Sequence, residues 1–184
     1  MKTLVIIMIL VSLSFTSQAQ EITELKETNI GFTPISLAET DHPDEYRYIV
    51  NDAYAKEFLM NPIGFVESYF DIDSFIEQVE DKNYHTYLVL FSHEKGYLEA
   101  DYSKDGELKR TRQSFKDIPL PLAVRNELWK QTEGWTMVKN TYKAIGNGSI
   151  LDKQIYRIKV VQNDKSKIVK IDPSKIEEER VAGM

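Results

Sequence analysis

The chain has 184 residues, a formal net charge of -6 and no cysteine. That length supports one ordinary hydrophobic core, while the missing cysteine excludes disulfides, thiolate metal sites and the lipid-bearing cysteine of a bacterial lipoprotein. The acidic balance, with Lys and Arg interspersed among Asp and Glu, argues against nucleic acid, which needs a clustered basic face.

The first element is a targeting segment. Lys2 precedes an unbroken apolar run from Leu4 to Val11, and Ser17-Gln18-Ala19 places small residues three and one before a cut. This is the pattern of a secretory signal peptide spanning residues 1–19. Its apolar run is too short to span a bilayer, and no later stretch is apolar enough to do so. The expectation is an exported protein, periplasmic or secreted, that starts at Gln20 and has no membrane span in the mature chain.

Residues 20–50 are polar with scattered apolar positions, and "TDHPDE" (Thr40 to Glu45) reads as a loop after a short strand around Ile30 to Ile35. From Asp52 to Phe70, Ala55, Leu59, Val66 and Tyr69 keep helical spacing. Asn61-Pro62 interrupts them, so a broken helix is expected, with Asn61 capping the second piece and Pro62 in its first position. The period then drops to two. Ile72 to Val79, Tyr84 to Ser92, Tyr97 to Ser103 and Glu107 to Gln113 are predicted as strands joined by the turns "EDKN", "HEKG" and "KDG". In the third, Leu98, Ala100 and Tyr102 point one way and Glu99, Asp101 and Ser103 the other.

A helix follows, with Pro121 in its first turn, Val124 and Leu128 on one face and Gly134 at its end. Strands are predicted at Trp135 to Ile145, Lys153 to Gln162 and Lys167 to Asp172, separated by "GNGS" and "QNDKS". The tail "KIEEERVAGM" reads as a frayed strand or a disordered end. The two halves align chemically: Tyr87 with Tyr156, Val89 with Ile158, Phe91 with Val160, Leu98 with Val169 and Asp101 with Asp172. The expected fold is therefore α+β, a tandem repeat of helix-plus-antiparallel-meander units with the helices packed on one face of the sheet. The units span about 51–116 and 117–172, between an N-terminal segment 20–50 and an acidic tail 173–184.

Several of these features together resemble the PepSY-like proteins exported by Bacteroidetes-type bacteria, a family compared with β-lactamase-inhibitor protein. The resemblance covers about residues 50 to 172. It rests on the alternating strand, Lys104-Asp105-Gly106, Leu108, Phe115, Leu120-Pro121, Val124, Gly134-Trp135 and the closing hairpin. The family's helix-ending Tyr-Pro-Gly is here Thr132-Glu133-Gly134, a departure that touches only the helix stop. The resemblance implies repeated helix-on-sheet units and a periplasmic location, and it brings no enzyme activity. By analogy with PepSY domains in peptidase propeptides, which are thought to restrain the enzymes they precede, it implies a proteinaceous partner.

The chemistry-bearing motifs are incomplete. Asp101, Ser103, Asp105 and Gly106 occupy positions one, three, five and six of a calcium loop, but position twelve is Arg112 and the flanks read as strands. A tight hairpin, with Asp105 and Gly106 at positive φ, accounts for the same residues. His42, His85 and His93 are far apart, and "SHEKG" lacks the second His of a zinc helix. Glu99 and Asp101 have the spacing of an acid–base pair, as do most solvated strand carboxylates. Nicotinate-mononucleotide adenylyltransferase chemistry, sometimes assigned to proteins resembling this chain, uses an H-x-G-H motif that is missing here. Asn147-Gly148-Ser149 fits a glycosylation acceptor and, more simply, a hairpin turn.

The sequence thus points to an exported non-catalytic binding or regulatory module without a cofactor, engaging a periplasmic or extracellular protein or peptide through its open sheet face. The alternatives are a periplasmic small-molecule or cation-binding protein and, third, an enzyme of unrecognised type. Candidate partner-binding residues are Glu99, Asp101 and Ser103 on one strand, Arg157 and Lys159 on its counterpart, and Trp129 on the helix as an exposed anchor. The two strands together are expected to give the open face an acidic half and a basic half.

Overall fold

Eight strands form one open sheet in the computed structural model, which describes residues 35–38, 46–79 and 84–176. They are β1 (Ile35–Ala38), β2 (Tyr46–Val50), β3 (Thr86–His93), β4 (Gly96–Ser103), β5 (Leu108–Lys116), β6 (Thr136–Asn147), β7 (Ile150–Gln162) and β8 (Lys165–Ile171). Their order in the sheet is their order in the chain. Every neighbouring pair is antiparallel except β2 and β3, which are parallel. Parallel neighbours need a crossover. Here it consists of a 3-10 turn (Asp52–Tyr54) and three helices, α1 (Ala55–Met60), α2 (Pro62–Tyr69) and α3 (Ile72–Val79). A fourth helix, α4 (Leu122–Gln131), joins β5 to β6. The α+β class and the largely antiparallel sheet agree with the sequence, while the strands form one mixed sheet and not two separate antiparallel units; the predicted signal segment lies outside the described residues.

The broken helix forms where Asn61-Pro62 places it. The Asn61 side chain accepts the Gly64 N–H at 3.2 Å, with Pro62 starting α2, so a position that cannot continue one helix begins the next. The segment Ile72–Val79 corrects the sequence reading: it is a helix and not a strand. Ile72, Phe75, Ile76 and Val79 follow the i, i+3, i+4, i+7 rule of one helical face. Asp71 caps that helix, accepting the Ser74 N–H at 3.1 Å and the Ser74 hydroxyl at 2.6 Å. These bonds hold the Asp71 carboxyl below its ordinary pKa. A second correction is β2, which lies in a segment read as irregular. The tail predicted as a frayed strand or a disordered end lies outside the described residues except for 173–176, which make a helical turn. Asp172 accepts the Ser174 N–H there at 3.1 Å.

Pairing register carries one face through the sheet. Phe91 opposes Leu98, Leu98 opposes Gln113, Phe115 opposes Tyr142, and Tyr142 opposes Tyr156. This face is sealed by the helices. Phe58 of α1 meets Phe115 edge-on, Phe75 of α3 meets Tyr87, and Phe70 meets both Phe91 and Tyr102. Val124 and Leu128 of α4 join the same core, and Lys167 of β8 donates to the Gln131 carbonyl at the end of that helix. Each fully buried Phe, Val or Ile contributes about 1.5–3 kcal/mol of apolar transfer energy. Burial also pushes the Tyr142 hydroxyl up to about 12 and raises Tyr102 and Tyr156 further.

Of the residues aligned between the halves, Tyr87 with Tyr156, Val89 with Ile158, Phe91 with Val160 and Leu98 with Val169 face this core, whereas Asp101 and Asp172 do not. Their hairpins differ in register, however. Phe91 pairs with Leu98, whereas Val160 pairs with Lys167 and Val169 with Ile158. The correspondence is therefore one of facing and not of pairing.

One buried polar group ties the α4 connection to the sheet. Asn140 of β6 accepts the Ile118 N–H at 3.3 Å through Oδ1 and donates through Nδ2 to the Ile118 carbonyl at 2.9 Å. Its own N–H donates to the Asp117 carboxylate at 3.0 Å.

Candidate functional site

Among the described residues, no helix packs on the opposite face of the sheet. Across β2 to β7, Arg47, Leu90, Glu99, Arg112, Ile145 and Lys153 form one cross-strand row. A second row runs from Ile49 through Ser92, Tyr97, Ser114 and Lys143 to Ile155. A third links Lys116, Thr141, Arg157 and Lys170. A trough of about 1110 Å3 crosses this face, from Arg47 and Leu88 at one end past Tyr97, Lys116 and Lys143 to Arg157 at the other. A smaller hollow of about 500 Å3 adjoins it, lined by Glu99, Arg112 and Lys153 among others.

Local sequence explains these positions. In β5, "LKRTRQSFK", Thr111, Gln113 and Phe115 are buried and Arg110, Arg112 and Lys116 alternate with them. In β7, Tyr156, Ile158 and Val160 turn inward and Arg157 and Lys159 turn out. Gly96 opens β4 at the trough with φ +144. A Cβ at this position would run into the Ser114 carbonyl oxygen and the Phe115 Cα, which leaves no room for a side chain.

The structure brings five of the six candidate residues onto or beside this face. Glu99 lines the trough and pairs with Arg112 at 3.7 Å. Asp101 lies opposite Arg110 and Leu88. Ser103, at the end of β4, spends its hydroxyl on the Glu107 N–H at 3.2 Å. Arg157 stands in the third row, and Lys159 lies beside it opposite Lys139. Trp129 is 65% exposed on α4, a helix that covers the other side of the sheet, so it shares no surface with the rest.

The expected acidic half is corrected. Register sets Arg112 across from Glu99 and Arg110 across from Asp101, so the two carboxylates sit within cationic neighbours, and β5 to β8 each add Lys or Arg to the face. The cations Arg47, Arg110, Arg112, Lys116 and Lys143 were missed as site residues. Their signals were the alternation of basic residues along β5, the strand pattern "YRYIV" of β2 and, for Lys143, its place between the inward Tyr142 and Ala144 of β6.

The motif that resembled a calcium loop is a β4–β5 hairpin. Gly106 N–H donates to the Ser103 carbonyl at 3.0 Å. Gly106 has φ +80 while Asp105 is not at positive φ, which narrows the expected pair to the glycine. Among the described residues no three of His, Asp and Glu are grouped closely enough to hold a metal ion. His85 and His93 flank the length of β3, roughly 25 Å apart at the strand rise. His93 is engaged at both nitrogens: Nδ1 accepts the Lys95 N–H at 3.3 Å, so Nε2–H is left to donate to Asp52 at 3.2 Å. His42 lies outside the described residues. Asn147-Gly148-Ser149 makes the β6–β7 turn with Gly148 at φ +59, and the Ser149 hydroxyl donates to Glu67 of α2.

No helix among the described residues is long and apolar enough to cross a membrane. Comparison of the chain with protein-family models, with curated proteins and with solved structures gave no significant match.

Proposed function

We propose that this chain is an exported, non-catalytic binding or regulatory module of PepSY-like type that engages a protein or peptide through its open sheet face. One observation carries the reading: the helices seal one side of the sheet, and the other presents a broad trough in which charged and apolar side chains mix. A monomer gains nothing in stability by keeping Leu88, 51% exposed, and Tyr97, 38% exposed, along the same trough as Arg47, Lys116, Lys143 and Arg157; such mixed surfaces fit the aromatic, aliphatic and arginine content of protein interfaces. The tandem helix-and-meander reading supports the family assignment. α1 to α3 precede β3 to β5, α4 precedes β6 to β8, and the aligned core residues share one face. Residues 1–19 would then be the leader that takes the chain to the periplasm.

A second reading, a small-molecule protein, draws on Lys116, Lys143 and Arg157, which line one end of the trough. A ligand pocket usually encloses most of its ligand, and this trough is open to solvent along the sheet. Affinity capture from a periplasmic extract separates the readings when it is run with two variants. The pair Lys143→Glu and Arg157→Glu should lose the captured protein while Trp129→Ala keeps it; the reverse pattern would move the interface to the helix side.

A further inference from the structure

We propose that the occupant of the open face is an acidic, extended polypeptide segment with aliphatic residues between its carboxylates, an inference that rests on the open face being the binding surface. The charge of this acidic chain is unevenly placed, although α4 carries Arg125 and Lys130 against Glu127. Between the parallel strands, the helical crossover carries Asp52, Glu57, Glu67, Asp71, Asp73 and Glu77 against Lys56. The sheet face opposite carries Lys or Arg on each of β5 to β8, its two β4 carboxylates are met by Arg110 and Arg112, and Glu94, Asp152 and Asp172 line the borders of its hollows. A face so different from the chain's net charge of -6 selects a partner of opposite sign by complementarity and by steering.

Spacing narrows the partner to an extended chain. Along β5, Arg110, Arg112 and Lys116 recur with the strand's period of two, and β7 repeats the period with Lys153, Arg157 and Lys159. An extended segment with carboxylates at alternate residues has that same repeat, roughly 7 Å. Between the cations lie Tyr97, Ile145 and Ile155, in the same rows, apolar ground for the methylene stems of the acidic side chains that such a segment turns toward the sheet. An anionic bilayer fits less well. It is flat where this face is a trough, and it meets the acidic molecule as a whole, whereas a peptide meets only the face.

The test uses the chain in full and a fluorescein-labelled peptide of alternating Glu and Leu, followed by fluorescence anisotropy, with Lys–Leu and Ser–Leu peptides and phosphatidylglycerol vesicles as comparisons. The Glu–Leu peptide should bind and the other peptides should not. Lys143→Glu with Arg157→Glu, shown folded by circular dichroism, should weaken binding by about tenfold or more. Glu99→Lys with Asp101→Lys should strengthen it, and salt near 1 M, where the Debye length is about 3 Å, should abolish most of it. Preference for the Lys–Leu peptide that is still sensitive to residues 143 and 157 would overturn the acidic partner and leave the open face standing. Glu–Leu binding untouched by those variants would overturn the face itself. Vesicle binding without peptide binding, salt-sensitive self-association in sedimentation without peptide binding, or no binding of any probe would each overturn the proposal.

Discussion

Replacing Asn140 with Ala should cost more stability than any single change on the open face. Asn140 is 3% exposed and Ile118, whose backbone it satisfies on both sides, is 4% exposed. Truncation leaves the Ile118 N–H and carbonyl without the amide that bonds them at 3.3 and 2.9 Å. Each buried group left unsatisfied costs about 1–3 kcal/mol, so the two together should cost about 2–6 kcal/mol. For a domain of this size, at about 2–4 °C per kcal/mol, that lowers Tm by about 4–24 °C. Urea unfolding followed by tryptophan fluorescence reads the free energy, and hydrogen exchange at the Ile118 amide should accelerate in the variant. Thr141→Ala, one residue along and facing the trough, is the control and should stay within about 0.5 kcal/mol of the parent. A loss for Asn140→Ala no larger than for Thr141→Ala would refute the claim that this amide fastens the α4 connection to the sheet.

Gly96→Ala should destabilise by at least about 2 kcal/mol, because positive φ and contact with the Ser114 and Phe115 backbone both oppose a side chain there; an unchanged urea midpoint would contradict this. Asp71 has a lowered folded pKa, so its capping contribution is fully present at neutral pH and is lost as pH falls through the folded value. The stability gap between parent and Asp71→Asn should accordingly shrink once pH drops below the ordinary aspartate range. Calcium should leave the melting temperature unchanged, since a site held at a hundred times its Kd would add about 2.7 kcal/mol; a rise that vanishes in Asp105→Ala would restore the metal loop. Mass spectrometry of the cell envelope should find the chain beginning at Gln20, and intact residues 1–19 on a cytoplasmic protein would reject the export reading.

Strand β4 was legible because alternation over Leu98, Ala100 and Tyr102 is a local property that burial on one face enforces. The same period-two habit misled the reading of Ile72 to Val79, where Ile72 and Ile76 fit either template and only Phe75 and Val79 decide for the helix. Strand β2 escaped notice because its five residues stand in a polar segment and pair with β3 through a crossover that no short-range pattern reveals. The character of the open face was the least legible feature. Each strand's outward residues were readable, yet which strand neighbours which, and in what register, decides whether Glu99 meets another carboxylate or Arg112.

The coincidence of sheet order with chain order bears on how the molecule is made. From β3 onward each strand pairs with the one just before it, so most contacts close short loops and carry little loop-closure entropy. A sheet of this kind can grow strand by strand as the chain becomes available, at a rate favoured by its low contact order. The β2–β3 pair stands apart: its two strands cannot meet until the intervening helices have folded back over the core, so that edge should form last. Truncation from either end would then trim the sheet, while a break in β5 would separate it into two pieces.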